Sequence, residues 1–414
     1  MPVLKGEVAM DFGARRVIEA LRSGVPSRAV GQYFSSARQS LLMQIQKKLD
    51  ETCEKRTSSG QVITGKYGEG KTHLLNTVFN MAHAQNMVVS FVSLSKETPF
   101  NNLHLVYQKL LSNTYLPKRL QPGFADSLMN ATLNSPLSTE MQAYAAKQLE
   151  VDKLFFLLRA YFATDDMDEK FMLQADLEGD FVANVKLKQI YKRIFSEKVM
   201  YNVNFSRTKH MGSYFSMISR LFLEMGYNGW VILFDETELV GRLGKQARLK
   251  AYKNMADFLF PKSEREATFT IFALTSSYAE DVIEGKHEFD NLNAAEFEPD
   301  DRAAIKRVLE SLMAAEQLQP LNKAEIESVM VSLLDFYTRA YDWRPNLDIA
   351  EIIKRTEHRG FLLRTRIRAA VECLDQLLEY NQVADIRINR LGEVSYEEDL
   401  PSLEGALLEQ EAEK

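Results

Sequence analysis

The sequence predicts an α/β protein: a parallel-sheet core that carries a helical insertion and is followed by an all-helical module. Three observations predict it. Over residues 57–95 a strand, a glycine-rich loop, a helix and a second strand follow one another, the order of a βαβ unit. Two further apolar runs, "GWVILFDETELV" (229–240) and "ATFTIFALTSS" (267–277), read as buried strands. The stretch 96–226 reads as mostly helical and is rich in Leu, Phe and Tyr, and 300–382 reads as an all-helical module.

Each element has a local reason. Residues 1–56 form an N-terminal helical segment expected to pack on the core. In "ARRVIEALRSG" Val17, Ile18 and Leu21 fall at helical spacing, and Gly24 and Pro26 stop the helix. "SARQSLLMQIQKKLDETCEK" puts Leu41, Leu42, Ile45 and Leu49 on one face. The core is expected at 57–299. "SSGQVITG" is a short strand, "KTHLLNTVFNMAHAQN" a helix, and "MVVSFVSLS" a β-branched strand. An insertion at about 96–226 contains a charged break, "FATDDMDEKF", and a loop, "LEGDFVAN". After the strand ending at Asp235, "LGKQARLKAYKNMADFLF" is a helix. Pro299 and Asp300 open the helical module, expected at 300–390, and 391–414 is an acidic tail with too few apolar residues to order itself.

Composition bounds the function. The chain has 414 residues, 45% hydrophobic and 26% charged, which suggests two or three globular domains. Its net charge of -6 means that any contact with nucleic acid must come from a local patch. Cys53 and Cys373 give neither a disulfide framework nor metal-ligand spacing. "MPVLKGEVAMDFGARR" lacks the apolar stretch of a signal peptide, and no run of 18 apolar residues exists. The expectation is a soluble cytoplasmic protein with no membrane association.

The chemistry gathers at two motifs. Gly65-Lys66-Tyr67-Gly68-Glu69-Gly70-Lys71-Thr72 spells the phosphate loop G-x-x-x-x-G-K-T in full, with His73 next. Glycines let successive N–H groups point into one concavity, and the helix that follows adds its positive end. Lys71 would reach the β- and γ-phosphates of a nucleotide, and the Thr72 hydroxyl would ligate Mg2+. Tyr67 stands where it could approach the base or ribose. Downstream, "WVILFDETE" is an apolar strand ending in Asp-Glu, the form of a Walker B motif. Asp235 would hold Mg2+, and Glu236 would polarise the attacking water, the base role in additional-strand ATPases. A bare Asp-Glu after a strand also serves as a helix cap with a first-turn acid. Its pairing with a complete phosphate loop favours the Walker B reading.

"ARRVIEALRSGVPS", "GKYGEGKTHLL" and "VILFDETELV" together resemble the ATP-binding proteins of bacteriophage-exclusion (BREX) systems, the BrxC/BrxD type. The N-terminal stretch is the specific part, because any phosphate-loop ATPase would supply the other two. The resemblance implies an AAA+ ATPase with an additional-strand three-layer core and a helical lid. It implies ATP and Mg2+ as cofactors, a homo-oligomer, and a helicase, nuclease or methyltransferase partner in prokaryotic antiviral defence. It also implies a polar sensor after the strand that follows Walker B, where Thr275, Ser276 and Ser277 stand and Ser276 is chosen. A second sensor, an arginine opening a lid helix, is implied among Arg364, Arg366 and Arg368, with Arg366 chosen. Arginine fingers acting in trans are sought among Arg242, Arg248 and Arg265.

A basic stretch, "KLKQIYKRIFSEK" (186–198), with Arg207, Lys209 and His210 beyond it, could meet double-stranded DNA. The plainer reading, an amphipathic helix with its lysines in water, is favoured over it. The leading functional expectation is therefore an ATP-hydrolysing motor or switch acting on DNA or a DNA-processing partner. The alternative is a nucleotide-gated scaffold that binds ATP with little turnover and recruits an effector.

Overall fold

The computed structural model describes residues 12–23, 28–33, 38–262, 265–357 and 363–383. The expected acidic tail, 391–414, lies outside the described residues. In chain order the elements are α1 (Phe12–Ser23), α2 (Arg28–Tyr33), α3 (Gln39–Lys55), β1 (Ser59–Thr64), α4 (Lys71–Ala84) and β2 (Val88–Ser93). The long middle stretch holds α5 (Leu103–Ser112), β3 (Thr114–Tyr115), α6 (Pro136–Gln148), α7 (Lys153–Ala163), α8 (Met167–Leu177), α9 (Asn184–Phe195) and α10 (Met211–Glu224). Then come β4 (Trp230–Asp235), α11 (Lys245–Leu259), β5 (Thr268–Leu274), α12 (Glu288–Ala294), α13 (Pro299–Met313) and β6 (Glu316–Gln317). The chain ends with α14 (Lys323–Tyr341), α15 (Ile349–Glu357) and α16 (Leu363–Tyr380).

The four expected strands all form, in one six-stranded sheet of order β3-β2-β4-β5-β1-β6. β2, β4 and β5 are parallel, with Ser93 opposite Asp235 and Phe234 opposite Phe272. β4 and β5 are buried along their whole length, as parallel strands covered on both faces must be. The edge strand β3 was not foreseen. It is two residues long, pairs antiparallel with β2, and is tied to it by a buried Ser90–Thr114 hydroxyl contact of 2.6 Å.

Two compact units divide the described residues. One draws on Met1–Ile45, Thr64–Asn80 and Gln317–Val394, and the other on Gln46–Ile63 and Met81–Glu316. The larger unit has an aromatic centre. Phe234 and Phe272 stack at 4.9 Å, and Phe100, from the turn after β2, sets its edge on both. Such contacts add to the burial of large apolar rings. Trp230 is fully buried against Phe215 and Phe222, and its indole N–H donates to Ser90 Oγ at 2.9 Å. The charged break within 96–226 is only a short connection, because Asp166 caps α8 by accepting from the N–H groups of Asp168 and Glu169.

In the smaller unit the N-terminal helix is part of the C-terminal helical core. Val17, Ile18 and Leu21 of α1 share one buried cluster with Leu333 and Tyr337 of α14 and Val371 and Leu374 of α16. The arginines of the N-terminal signature serve this packing. Arg15 Nε donates to Ala340 O at 3.0 Å, at the end of α14. Arg22 makes a two-pronged pair with Asp375, at 2.9 and 2.8 Å. That fork geometry suits guanidinium and carboxylate.

Candidate functional site

The phosphate loop runs from the end of β1 to the start of α4, as its spacing requires. Gly68 and Gly70 have φ of 79° and 96°, a backbone region that side chains disfavour. The loop braces itself: Glu69 Oε2 accepts from the Lys66 N–H at 2.7 Å, and Glu69 is nearly buried. Lys71 is also nearly buried, and its ammonium donates to Gly65 O at 2.8 Å and Lys66 O at 3.3 Å. A buried ammonium must have partners, and here loop carbonyls take that part. Thr72 and His73 are half-buried in the first turn of α4, while Lys66 and Tyr67 are exposed.

Sequence reasoning missed the residues that wrap this loop within the same unit. α2 lies against α4. The Gly31 carbonyl accepts from Thr77 Oγ1, the Arg28 carbonyl from Asn80 Nδ2, and the Arg28 guanidinium covers the Phe79 ring at 4.5 Å. A Cβ on Gly31 would lie 2.8 Å from the Asn76 carbonyl carbon, so only glycine permits this approach. Arg38 then reaches the loop, donating from Nη2 to Glu69 O at 2.7 Å. Its own N–H donates to Glu325 Oε1 at 2.8 Å, and Glu325 closes the capping box of α14 with Asn322. Burial pulls the Arg38 guanidinium below its ordinary pKa, opposed by the charges of Glu69 and Glu325. A glycine inside a helical pattern was the one signal available in advance.

α16 also meets the loop. The Arg364 guanidinium stands 5.7 Å over the Tyr67 ring and 3.4 Å from its hydroxyl, and the Arg364 N–H is directed at Gly68 O at 3.5 Å. Arg366 is half-buried on the same helix. Residues two apart on a helix do not share a face, so Arg364 and Arg366 are turned in different directions. Arg368 donates to Arg22 O at 3.3 Å.

In the larger unit, β4 ends in the acidic pair. Asp235 is buried, its carbonyl accepts from the Leu94 N–H at 3.0 Å, and its Oδ1 accepts from the Glu236 N–H at 3.0 Å. Glu236 is exposed, with φ 54° and ψ 33°, and begins the 3-10 turn Thr237–Arg242. A left-handed glutamate is uncommon and strained. The turn is anchored from behind by Lys286, which donates to Gly241 O, and by Arg248, which donates to Leu243 O and pairs with buried Glu288. Burial raises the Glu288 carboxyl, and Arg248 opposes the shift. Thr275, Ser276 and Ser277 follow β5 in a half-buried turn. Of the arginine-finger candidates, Arg248 is buried in its ion pair. Arg265 is buried against Phe215 and Phe258 and donates to Asp257 O. Neither has a guanidinium available to a neighbouring subunit, and Arg242 is half-buried. Among the described residues no group of three or more His, Cys, Asp or Glu could hold a metal ion, and no helix is long and apolar enough to cross a membrane.

A six-stranded, mostly parallel sheet among many helices makes this a protein of α/β class. More particularly, the chain belongs to the family described as BREX system ATP-binding protein BrxC/D, whose family model matches residues 12–150 and 158–388. No curated protein matches the chain. Membership makes it an ATP-binding component of a BREX phage-defence system, with partners in that system. It agrees with the resemblance drawn from the N-terminal signature.

Proposed function

We propose that the protein binds Mg-ATP and hydrolyses it, as an AAA+ motor or switch in cytoplasmic phage defence. The observation that carries the proposal is the end of β4: a buried Asp235 followed by a left-handed, exposed Glu236. Strain of that kind persists where it has a use. The sheet order supports the additional-strand assignment, since β5 lies between β4 and the loop-bearing β1. The loop's positive-φ glycines and its half-buried Thr72 suit a phosphate with its cation.

In this reading Gly65 to His73 cradle the phosphates. Lys71 exchanges its carbonyl partners for β- and γ-oxygens, trading neutral acceptors for charged ones. The Thr72 hydroxyl and the Asp235 carboxylate are each the kind of oxygen donor that Mg2+, a hard cation, would take, and the cation would neutralise charge on the phosphates. Glu236 orients and deprotonates the attacking water. Ser276, or a neighbour in its turn, senses the γ-phosphate, as does an arginine of α16. The family resemblance implies Arg366, and the contact with Tyr67 and Gly68 adds Arg364. With Arg248 and Arg265 buried, Arg242 is left as the trans arginine of a homo-oligomer. The helicase, nuclease or methyltransferase partner and double-stranded DNA remain part of the proposal.

Steady-state ATP hydrolysis, with and without double-stranded DNA, tests it. Glu236→Gln should bind ATP and lose roughly 100-fold or more in turnover, the scale of a missing general base. Lys71→Ala should lose nucleotide binding itself. Wild-type protein that binds ATP, turns over negligibly and ignores DNA would instead be a nucleotide-gated scaffold.

A further inference from the structure

We propose that the outer face of α9, with the 206–209 turn, is a contact surface for the phosphate backbone of double-stranded DNA. This deepens the function proposed above by naming where DNA would be engaged. It rests on that reading for its consequence, but the binding itself can be measured without turnover.

The chain is acidic overall, yet one stretch is strongly basic. Lys186, Lys188, Lys192 and Arg193 lie on α9, and Lys198, Arg207 and Lys209 follow, against the single acid Glu197. All seven cations are exposed. At about 100° per residue, the exposed positions of α9 span an arc of roughly 160° with no carboxylate in it. Arg193 pairs with Glu169 on α8. Among the described residues no ion pair engages the other six. An unpaired exposed cation loses little on meeting a phosphate, and each contact releases counterions from the duplex.

Two of the cations are held in place without being neutralised. Lys188 Nζ stands 4.6 Å over the Tyr201 ring, and the Arg207 guanidinium 5.3 Å over Phe181. Phe181 is itself fixed against Phe205 and Tyr214 at 5.0 and 5.1 Å. An aromatic face orders a cation and leaves its N–H donors outward.

A basic amphipathic helix also suits a membrane surface, but here its apolar face is used. Leu187, Ile190 and Tyr191 are buried in the main core, and the exposed apolar side chains that remain there, Val185 on α9 and Met200 beyond it, are too few to make an apolar face that enters lipid. The rings beneath Lys188 and Arg207 are partly covered and offer no aromatic anchor to a protein partner. What is left outward is mostly charge, with Lys188 and Arg207 seated on rings, which suits a regular polyanion.

The test is fluorescence anisotropy of a labelled duplex of arbitrary sequence with the full chain, titrated at several salt concentrations. Lys186→Glu/Lys188→Glu/Lys192→Glu should weaken binding at least tenfold at low salt. Loss of three contacts should reduce the log–log salt slope by about 2.7, at about 0.9 per contact. Arg207→Glu/Lys209→Glu should act in the same direction, and Lys306→Glu, exposed on α13, should not. Basal hydrolysis should survive in all three, and its stimulation by DNA should fall in the first two. Wild type that does not bind duplex, patch variants that bind as wild type does, or a Lys306→Glu loss equal to theirs would overturn the proposal. So would equal, patch-dependent binding to vesicles with one-third anionic lipid. Duplex binding with no turnover would instead overturn the ATPase reading alone.

Discussion

Lys153→Met should destabilise the larger unit by roughly 3–5 kcal/mol, the cost of breaking a buried ion pair from one side. Lys153 and Asp176 are 1% and 0% exposed, and Nζ lies 2.6 Å from Oδ2. Asp176 Oδ2 also accepts from the Val182 N–H at 2.7 Å, and Oδ1 from the Tyr214 hydroxyl at 2.7 Å. Methionine replaces the stem and removes the charge. The carboxylate then keeps two neutral donors in a site sealed from water, and these do not replace an ammonium. The assay is urea unfolding followed by tryptophan fluorescence. The chain has two tryptophans, Trp230 in the larger unit and Trp343 in the smaller, so a Trp343→Phe background makes Trp230 the reporter. The thermal midpoint should fall by on the order of 10 °C, at about 2–4 °C per kcal/mol for a unit of this size. Lys153→Met/Asp176→Leu should recover most of the loss, because an apolar pair avoids desolvating charge. A single-variant loss below about 1 kcal/mol, the range of exposed pairs, would refute the reasoning, as would a double variant no better than the single one.

Two further outcomes follow from the geometry. Gly31→Ala should cost roughly 1–3 kcal/mol as an overpacked contact and weaken ATP binding, because the clash is with the backbone of α4; a fluorescent ATP analogue titrated beside a thermal melt would read both. His104 gives a pH dependence. Burial, then Arg207 and Lys250, lower its pKa from 6.5, so the unfolded chain binds more protons near that pH. Stability should be full above about 6.5 and decline as pH falls below it, and His104→Gln should flatten that decline in denaturant midpoints measured between pH 7 and 5.

Much of the fold could be read in advance because its signals are local. Ser59–Thr64 is a short strand bounded by turn residues, Trp230–Asp235 is an apolar run ended by an acidic pair, and the G-x-x-x-x-G-K-T loop between β1 and α4 is defined by spacing alone. β3 could not be read. Two residues carry no periodicity, and Thr114–Tyr115 become a strand because the edge of β2 supplies a partner. Arg38 and Gly31 were missed for a related reason: neither belongs to a motif, and each acts through contact with the distant residues Glu69 and Asn76.

By itself the sequence determined the α/β class, the G-x-x-x-x-G-K-T loop and the acidic pair as motifs and, through its N-terminal signature, the family. Each of these is written in consecutive residues, where backbone conformation and side-chain chemistry are set by near neighbours. Tertiary structure alone decided that α1 shares a core with α14 and α16, that Arg364 stands over Tyr67, and that Arg248 and Arg265 are enclosed. It also decided that the lysines of α9 face water over a fully used apolar side. A charge or an apolar stripe has the same spacing whether it is covered or bare. Which of the two it becomes depends on segments hundreds of residues away, brought together by burial of the whole core.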